Sequence, residues 1–187
     1  MKRTVLDRFT EYVQIDTQSD PDSTTHPSTA KQFDLAHILV DELKDLGLTD
    51  AHVDEYCYVY ATLPSNLSKE VPVICYCSHM DTSPDGSGKD VKPLVHTGYD
   101  GRDLVLPDDP SVVIRLSEHP DLAEQMGNDI VTASGTTLLG ADNKAGVAAI
   151  MTAVDYLLHH PEIPVNETFE SFLPLTRKLA MVWIKST

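Results

Sequence analysis

The chain has 187 residues, of which 41% are hydrophobic and 23% are charged. This composition is typical of a globular chain with a buried core, which excludes a wholly disordered protein. Fourteen Lys and Arg residues stand against 29 Asp and Glu residues, so the formal net charge is −15. Nucleic acid and anionic membranes bind basic surfaces, so this acidity argues against both as partners and favours metal cations.

The N-terminal residues and the cysteines indicate the cellular compartment. No run of about 18 apolar residues is present to span a membrane, and Asp7 and Arg8 interrupt any apolar core of a signal peptide. Cys57, Cys75 and Cys77 are odd in number and lack a Cys-x-x-Cys spacing. This pattern favours buried, reduced thiols over metal ligands or disulfides. We therefore expect a cytoplasmic protein.

Hydrophobic spacing predicts the first half of the chain. Apolar residues at helical spacing indicate an α-helix near residues 5–13, and a second helix from a Ser28 or Thr29 cap to Gly47. Two short strands, near 51–55 and 57–63, come next. The nearly continuous apolar run Val71–Ser78 is typical of a central strand buried on both faces.

The second half begins with a loop-rich stretch, residues 82–129, that contains many Pro and Gly residues. Short strands are predicted at 129–131 and 136–139, and a helix at 143–158. Alternation of helices and strands around a buried strand predicts an α/β fold with three layers, α/β/α.

The first motif with chemical content comes after the apolar strand and contains His79 and Asp81. Residues two apart in an extended chain point to the same side. An imidazole is a common zinc ligand, and a nearby carboxylate can orient it from behind. The alternative is a surface pair without a role.

The second motif places Asp142 after a Gly-Ala turn, at the start of the 143–158 helix. The helix amides and macrodipole would keep this carboxylate ionised and able to bridge cations. The alternative is an N-cap aspartate followed by Gly146, which would serve close packing.

Together, the motifs Ser-His-Met-Asp-Thr-Ser-Pro-Asp at 78–85 and Thr-Leu-Leu-Gly-Ala-Asp-Asn-Lys-Ala-Gly at 137–146 closely resemble the peptidase T family of tripeptide aminopeptidases. This family belongs to the co-catalytic di-zinc exopeptidases. The resemblance covers roughly residues 1–164 and implies that they are the N-terminal part of a zinc peptidase catalytic domain, incomplete at its C-terminus. Further matching segments lie at 12–19, 27–29, 42–48 and 61–66.

The resemblance also implies roles for the three candidate site residues. His79 would bind one zinc ion, Asp142 would bridge two, and Asp81 would be the catalytic acid that orients His79. The His79 and Asp142 side chains should therefore converge to about 4 Å or less. The Asp142–Asn143 peptide bond would be cis. The cofactor would be zinc, and the substrates would be tripeptides.

The resemblance ends near residue 164. The family's Pro-Asp-Glu-Glu-hydrophobic-Gly segment, which supplies a general base and a further zinc ligand, is missing from the sequence. Codons compatible with the chain from Glu167 onward, read from the third base, spell Asn-Ile-Arg-Ile-Ile-Ser-Ser-Pro-Asp-Glu-Glu-Ile-Gly. We therefore interpret residues 165–187 as an unrelated, out-of-frame tail produced by a frameshift, and expect an inactive fragment of the peptidase.

Two other classes of function stay open. Asp81-Thr82-Ser83 is also similar to the Asp-Thr-Ser/Gly motif of aspartic proteases, in which two aspartates share a proton. That mechanism would need a second copy of the motif or a homodimer, and it leaves His79 and Asp142 unexplained. The other alternative is a non-catalytic remnant or interaction module derived from an enzyme.

Overall fold

The computed structural model describes residues 3–166 and the backbone of residues 168–173. Residue 167 and residues 174–187, which belong to the predicted out-of-frame tail, lie outside the described residues. Across the described part, no helix has both the length and the apolar character needed to cross a membrane. The elements are the helices α1 (Val5–Tyr12), α2 (Gln32–Asp45) and α3 (Ala141–His159), a 3-10 helix (Pro120–Gln125), and the strands β1 (His52–Val53), β2 (Val59–Leu63), β3 (Ile74–His79), β4 (Leu94–His96), β5 (Leu104–Val105), β6 (Val113–Ile114), β7 (Ile130–Thr132) and β8 (Thr168–Leu173).

The two predicted N-terminal helices are present, but the predicted cap of the second is wrong. α2 begins at Gln32, because the hydroxyls of Ser28 and Thr29 have other partners. Thr29 Oγ1 donates to the Gln18 carbonyl at 2.8 Å, and Ser28 Oγ accepts from the Asp20 N–H at 3.1 Å. The predicted end at Gly47 is confirmed, since this residue has a φ of +101°, where glycine is favoured.

The main sheet has the strand order β1-β2-β8-β3. β1 and β2 are antiparallel, β2 and β8 are antiparallel, and β3 and β8 are parallel. α2 contacts β1 and β2, α3 contacts β3, and α1 packs against α3. The backbone of 168–173, which lies within the predicted tail, thus occupies an interior position between β2 and β3.

The prediction that Val71–Ser78 is an interior strand buried on both faces is wrong for this chain. β3 is the last strand of the sheet, and the side chains of Ile74–Cys77 are exposed. Val73, Ile74 and Tyr76 are 41% to 56% exposed. An apolar sequence shows that a strand needs cover, but neighbouring elements must supply it. In the described residues, no strand pairs with the outer edge of β3.

Two further predictions need correction. Residues 136–139 do not form a strand, because this segment packs on the loop before it and Leu138 N donates to the Ser87 carbonyl at 2.9 Å. Cys75 and Cys77 are exposed, since they lie on β3, whereas Cys57 is buried as predicted. The predicted strand near 129–131 is confirmed as β7, which pairs with β4.

A buried arginine joins the three α-helices. Arg8 of α1 donates from Nε to Glu42 Oε1 of α2 at 2.7 Å, and from Nη2 to Asp155 Oδ2 of α3 at 2.8 Å. The Tyr12 hydroxyl also donates to Glu42. Arg8 and Asp155 are almost fully buried, so their charges depend on each other for solvation.

We predict that Arg8→Met strongly destabilises the fold. The substitution keeps an unbranched apolar stem and removes the Arg8 cation from Asp155, which among the described residues keeps only His159 Nδ1 at 3.0 Å. Breaking a buried ion pair typically costs about 3–5 kcal/mol. Urea denaturation followed by circular dichroism would measure the free energy of unfolding. The matched control is Arg102→Met, because the Arg102–Asp100 pair is exposed and such pairs contribute less than about 1 kcal/mol. Equal effects of the two substitutions would contradict the prediction.

Candidate metal site

A close approach between two loops brings the two sequence motifs together. Gly140 has a φ of +75°, and a Cβ on it would lie 2.9 Å from Thr82 Cγ2. Glycine therefore satisfies both the left-handed backbone and the lack of space. The turn places Asp142 at the start of α3, beside the end of β3. The Asp142–Asn143 peptide bond is cis, as the resemblance implied.

The three predicted site residues lie together. His79 Nε2 is 2.9 Å from Asp142 Oδ1, which confirms the predicted convergence of these side chains. His79 Nδ1 lies 3.3 Å from Asp81 Oδ1 and 3.2 Å from the Asp81 carbonyl oxygen. Asp81 therefore contacts the imidazole on the side opposite Asp142, where a carboxylate can hold the ring in one orientation.

Burial differs sharply among the three side chains. Asp81 is 6% exposed, His79 is 19% exposed and Asp142 is 95% exposed. Burial lowers the pKa of His79, but hydrogen bonds to Asp81 and then to Asp142 outweigh this effect and raise the pKa above its usual value. Two carboxylates around one imidazole thus create a local field that favours a cation, and Asp142 presents its oxygens to solvent.

Contacts between β3 and the first turn of α3 keep the motifs in register. Ser78 Oγ donates to the Asn143 carbonyl at 3.0 Å, and Gly146 N donates to Asn143 Oδ1 at 3.2 Å. Gly146 packs against both groups. A Cβ there would lie 2.4 Å from Asn143 Oδ1 and 2.7 Å from Ser78 Oγ. The glycine therefore allows the helix to approach the strand next to His79.

Lys144 is a part of this region that the sequence analysis missed. Its side chain is 1% exposed, and Nζ donates to the Ile15 carbonyl at 2.6 Å. Burial lowers the pKa of Lys144 to about 8, against the opposing influence of Asp16 and Asp81. The signal in the sequence was its position: Lys144 lies three and four residues before Val147 and Ala148, on the apolar face of α3.

The residue types present at this site are ones that bind zinc in proteins. An imidazole nitrogen and a carboxylate oxygen that converge on one point are ligands that zinc takes in proteins. In the part of the chain that the structure describes, however, no group of three or more His, Cys, Asp and Glu side chains is placed to hold a metal. Zinc takes about four ligands, so His79 and Asp142 are a partial set.

Comparison with known proteins shows which proteins this chain is similar to. No family model matches the chain. Peptidase T from Listeria monocytogenes serotype 4a is 51% identical over 174 residues, and peptidase T from Geobacillus sp. (strain WCH70) is 49% identical over the same length. Each match covers 93% of this chain and 42% of the relative. The chain is similar to peptidase T over nearly all of its length. It spans less than half of the peptidase T sequences that it matches.

Solved structures confirm the expected zinc-exopeptidase-like α/β fold. A tripeptidase from Staphylococcus aureus is 26% identical with a TM-score of 0.55, and the match covers 90% of this chain and 35% of that one. Aminoacylhistidine dipeptidase from Vibrio alginolyticus has the same TM-score at 19% identity, and the match covers 95% of this chain and 28% of that one. The second likeness is one of fold alone. The fold and the resemblance to peptidase T therefore agree.

We predict that Gly146→Ala destabilises the protein, although Gly→Ala in a helix normally stabilises by about 1 kcal/mol. The added Cβ must displace Asn143 or Ser78 and break the contacts between β3 and α3. Urea denaturation would report the sign of the change. Ala145→Gly is the control, because Ala145 is exposed on the same turn and should lose only the helix propensity, about 1 kcal/mol. A gain in stability for Gly146→Ala would contradict the close packing.

Proposed function

We propose that this chain is part of a zinc-dependent aminopeptidase that releases the N-terminal residue from tripeptides. The observation that carries the proposal is the His79–Asp142 contact of 2.9 Å with Asp81 behind the imidazole. His79 and Asp142 are 63 residues apart in the sequence, yet they converge on one cation-favouring point. The similarity to peptidase T over 93% of the chain supports the same function.

His79 and Asp142 are the proposed direct zinc ligands, through Nε2 and the carboxylate oxygens. Zinc held by these residues would supply polarisation of a peptide carbonyl and activation of water for hydrolysis. Asp81 is proposed to hold the His79 ring from Nδ1, so that Nε2 faces the metal. The high exposure of Asp142 leaves room for a metal and a peptide at the same place.

The position of Asp81 also bears on the aspartic-protease alternative. That mechanism needs two adjoining carboxylates that share a proton. Asp81 is instead buried with its carboxylate against an imidazole. This environment supports a role for Asp81 in orienting His79, and argues against a role as one of two aspartates that share a proton.

We further propose that the 187-residue chain is inactive by itself. It spans 42% of the peptidase T length, and the described residues supply only a partial zinc ligand set. The sequence also lacks the family's Pro-Asp-Glu-Glu segment. We retain the interpretation of 165–187 as an out-of-frame tail as a proposal, which would account for the loss of that segment. The similarity to peptidase T covers 93% of the chain and therefore extends past residue 164 into this range.

Charge and cysteine chemistry support a class of partner and a compartment. A net charge of −15 supports metal ions as ligands and argues against nucleic acid and anionic membranes. The similarity to peptidase T supports small peptides as substrates. Cys57 and Cys77 are free thiols, which is typical of reducing compartments. We propose the cytoplasm as the location.

Zinc titration of the metal-free chain tests the site. We expect weak binding, because the ligand set is partial, and a loss of affinity of at least about 10-fold in His79→Ala, by analogy with the loss of supporting ligands in zinc sites. Isothermal titration calorimetry would measure the affinity. His52→Ala is the matched control, since His52 is an exposed histidine on β1. An unchanged zinc affinity in His79→Ala would contradict the proposed metal site and favour a non-catalytic module.

An assay of tripeptide hydrolysis tests the proposal that the 187-residue chain is inactive by itself. The purified 187-residue chain should show no measurable turnover with added zinc, because loss of a general base alone typically costs a factor of about 10²–10⁴. A gene repaired to translate the Pro-Asp-Glu-Glu-Ile-Gly segment and the remainder of that reading frame should encode an active enzyme. Asp142→Ala in that repaired protein should abolish activity. Turnover by the unrepaired chain would show that the tail is functional.

A further inference from the structure

Residues 15–19, the segment between α1 and the loop before α2, lie directly against the residues that come after β3. Thr17 Oγ1 donates to the Met80 carbonyl at 2.7 Å, and Thr82 N donates to the Thr17 carbonyl at 3.2 Å. Thr17 is fully buried. These two hydrogen bonds hold the backbone on each side of Asp81.

The same segment is anchored to the loop beyond Asp81. Ser19 N and Ser19 Oγ both donate to the Thr82 carbonyl at 3.0 Å, and Gln18 Nε2 donates to the Gly86 carbonyl at 2.6 Å. An isolated parallel bridge joins Gln18 and Thr82. The 15–19 segment therefore lies alongside the residues around Asp81 and is hydrogen-bonded to them.

The beginning of the segment is tied to α3. Lys144, two residues after Asp142, donates from Nζ to the Ile15 carbonyl at 2.6 Å. Asp16 is held by Lys31 Nζ at 2.9 Å. One continuous set of contacts thus runs from the start of α3, through the 15–19 segment, to the backbone around Asp81.

We propose that Thr17 is a positioning residue of the candidate metal site, whose hydroxyl fixes the backbone of Asp81 and thereby the contact between Asp81 and His79 Nδ1. This inference rests on the proposed function, because a positioning role requires that a metal site exists. The hydrogen bonds from which it is argued do not depend on that function. Functional side chains must be held within about 0.5 Å of their working positions, which requires support from buried neighbours. Thr17 meets this requirement because it is buried and bonds to both residues that flank Asp81.

The test uses the full 187-residue chain without metal, and reads the side-chain nitrogens of His79 by NMR at one fixed pH. Thr17→Val keeps the shape of the side chain and removes the hydroxyl, and we expect it to shift both ring nitrogens of His79. Thr17→Ser keeps the hydroxyl and should reproduce the native spectrum. Thr10→Val is the matched control, because the Thr10 hydroxyl donates to the Leu6 carbonyl within α1.

A second pair of variants guards against misfolding. Thr17→Ala and Thr17→Ser both lack the methyl group and differ only in the hydroxyl, so His79 should change in the first and not in the second. Native-like His79 signals in a folded Thr17→Val chain would overturn the proposal. Loss of fold in both Thr17→Val and Thr17→Ala would assign Thr17 to folding in general, and would also overturn it.

Addition of zinc to the same samples separates this inference from the proposed function. We expect zinc to move the His79 signals of the native chain, and the zinc affinity of Thr17→Val to fall about 10-fold, which is typical when the support of a metal ligand is removed. If zinc leaves native His79 unchanged, the proposed function fails while the metal-free spectra still decide the role of Thr17. If zinc binds through His79 and Thr17→Val matches the native chain in both measurements, only the positioning role fails.

Discussion

Gly140 and Thr82 pack so closely that a side chain on Gly140 would lie 2.9 Å from the Thr82 methyl group. The rest of the candidate site depends on this approach, because it places the start of α3 beside the end of β3. Asp142 can then reach His79, and Ser78 can bond to the Asn143 carbonyl. Gly146 continues the same close packing further along α3. Small residues at both positions thus decide where the carboxylate lies.

Two buried cations organise an otherwise acidic molecule. Arg8 binds Glu42 and Asp155 and so joins the three helices, while Lys144 bonds to the Ile15 carbonyl. Buried charges are tolerated only where partners replace the lost water. Each cation therefore constrains several elements at once. At the site itself two carboxylates flank His79, and this arrangement favours a metal ion beside the imidazole.

β3 has the candidate metal site at its end and exposed apolar residues along its length. Ile74 and Tyr76 would gain stability from cover that the described residues do not provide. An exposed edge strand with apolar side chains also invites pairing with other chains. The same chain spans 42% of the peptidase T relatives. These observations agree with a chain that is part of a longer fold and in which the candidate site residues already lie together.

Local patterns in the sequence were sufficient to predict several features of the structure. Apolar spacing predicted α1, α2 and α3, because a helix face needs only neighbours three and four residues away. Gly47 was identified as the end of α2 because the left-handed conformation is a local property of one residue. The resemblance carried by residues 78–85 and 137–146 also identified His79, Asp81 and Asp142, and the structure brings these three together.

Other features depend on contacts between distant parts of the chain, which a local pattern does not contain. The hydroxyls of Ser28 and Thr29 bond to an adjacent loop instead of capping α2, and residues 136–139 pack on a loop instead of forming a strand. The apolar run of β3 showed that cover is needed, yet burial depends on which elements are present to supply it. Thr17 and Lys144 carried no motif of their own, and only the folded chain places them against Met80, Thr82 and Ile15. The spacing of apolar residues and the residue types of turns can be read from residues adjacent in the sequence. The hydrogen bonds that hold the candidate site residues in place join segments that come into contact only when the chain folds.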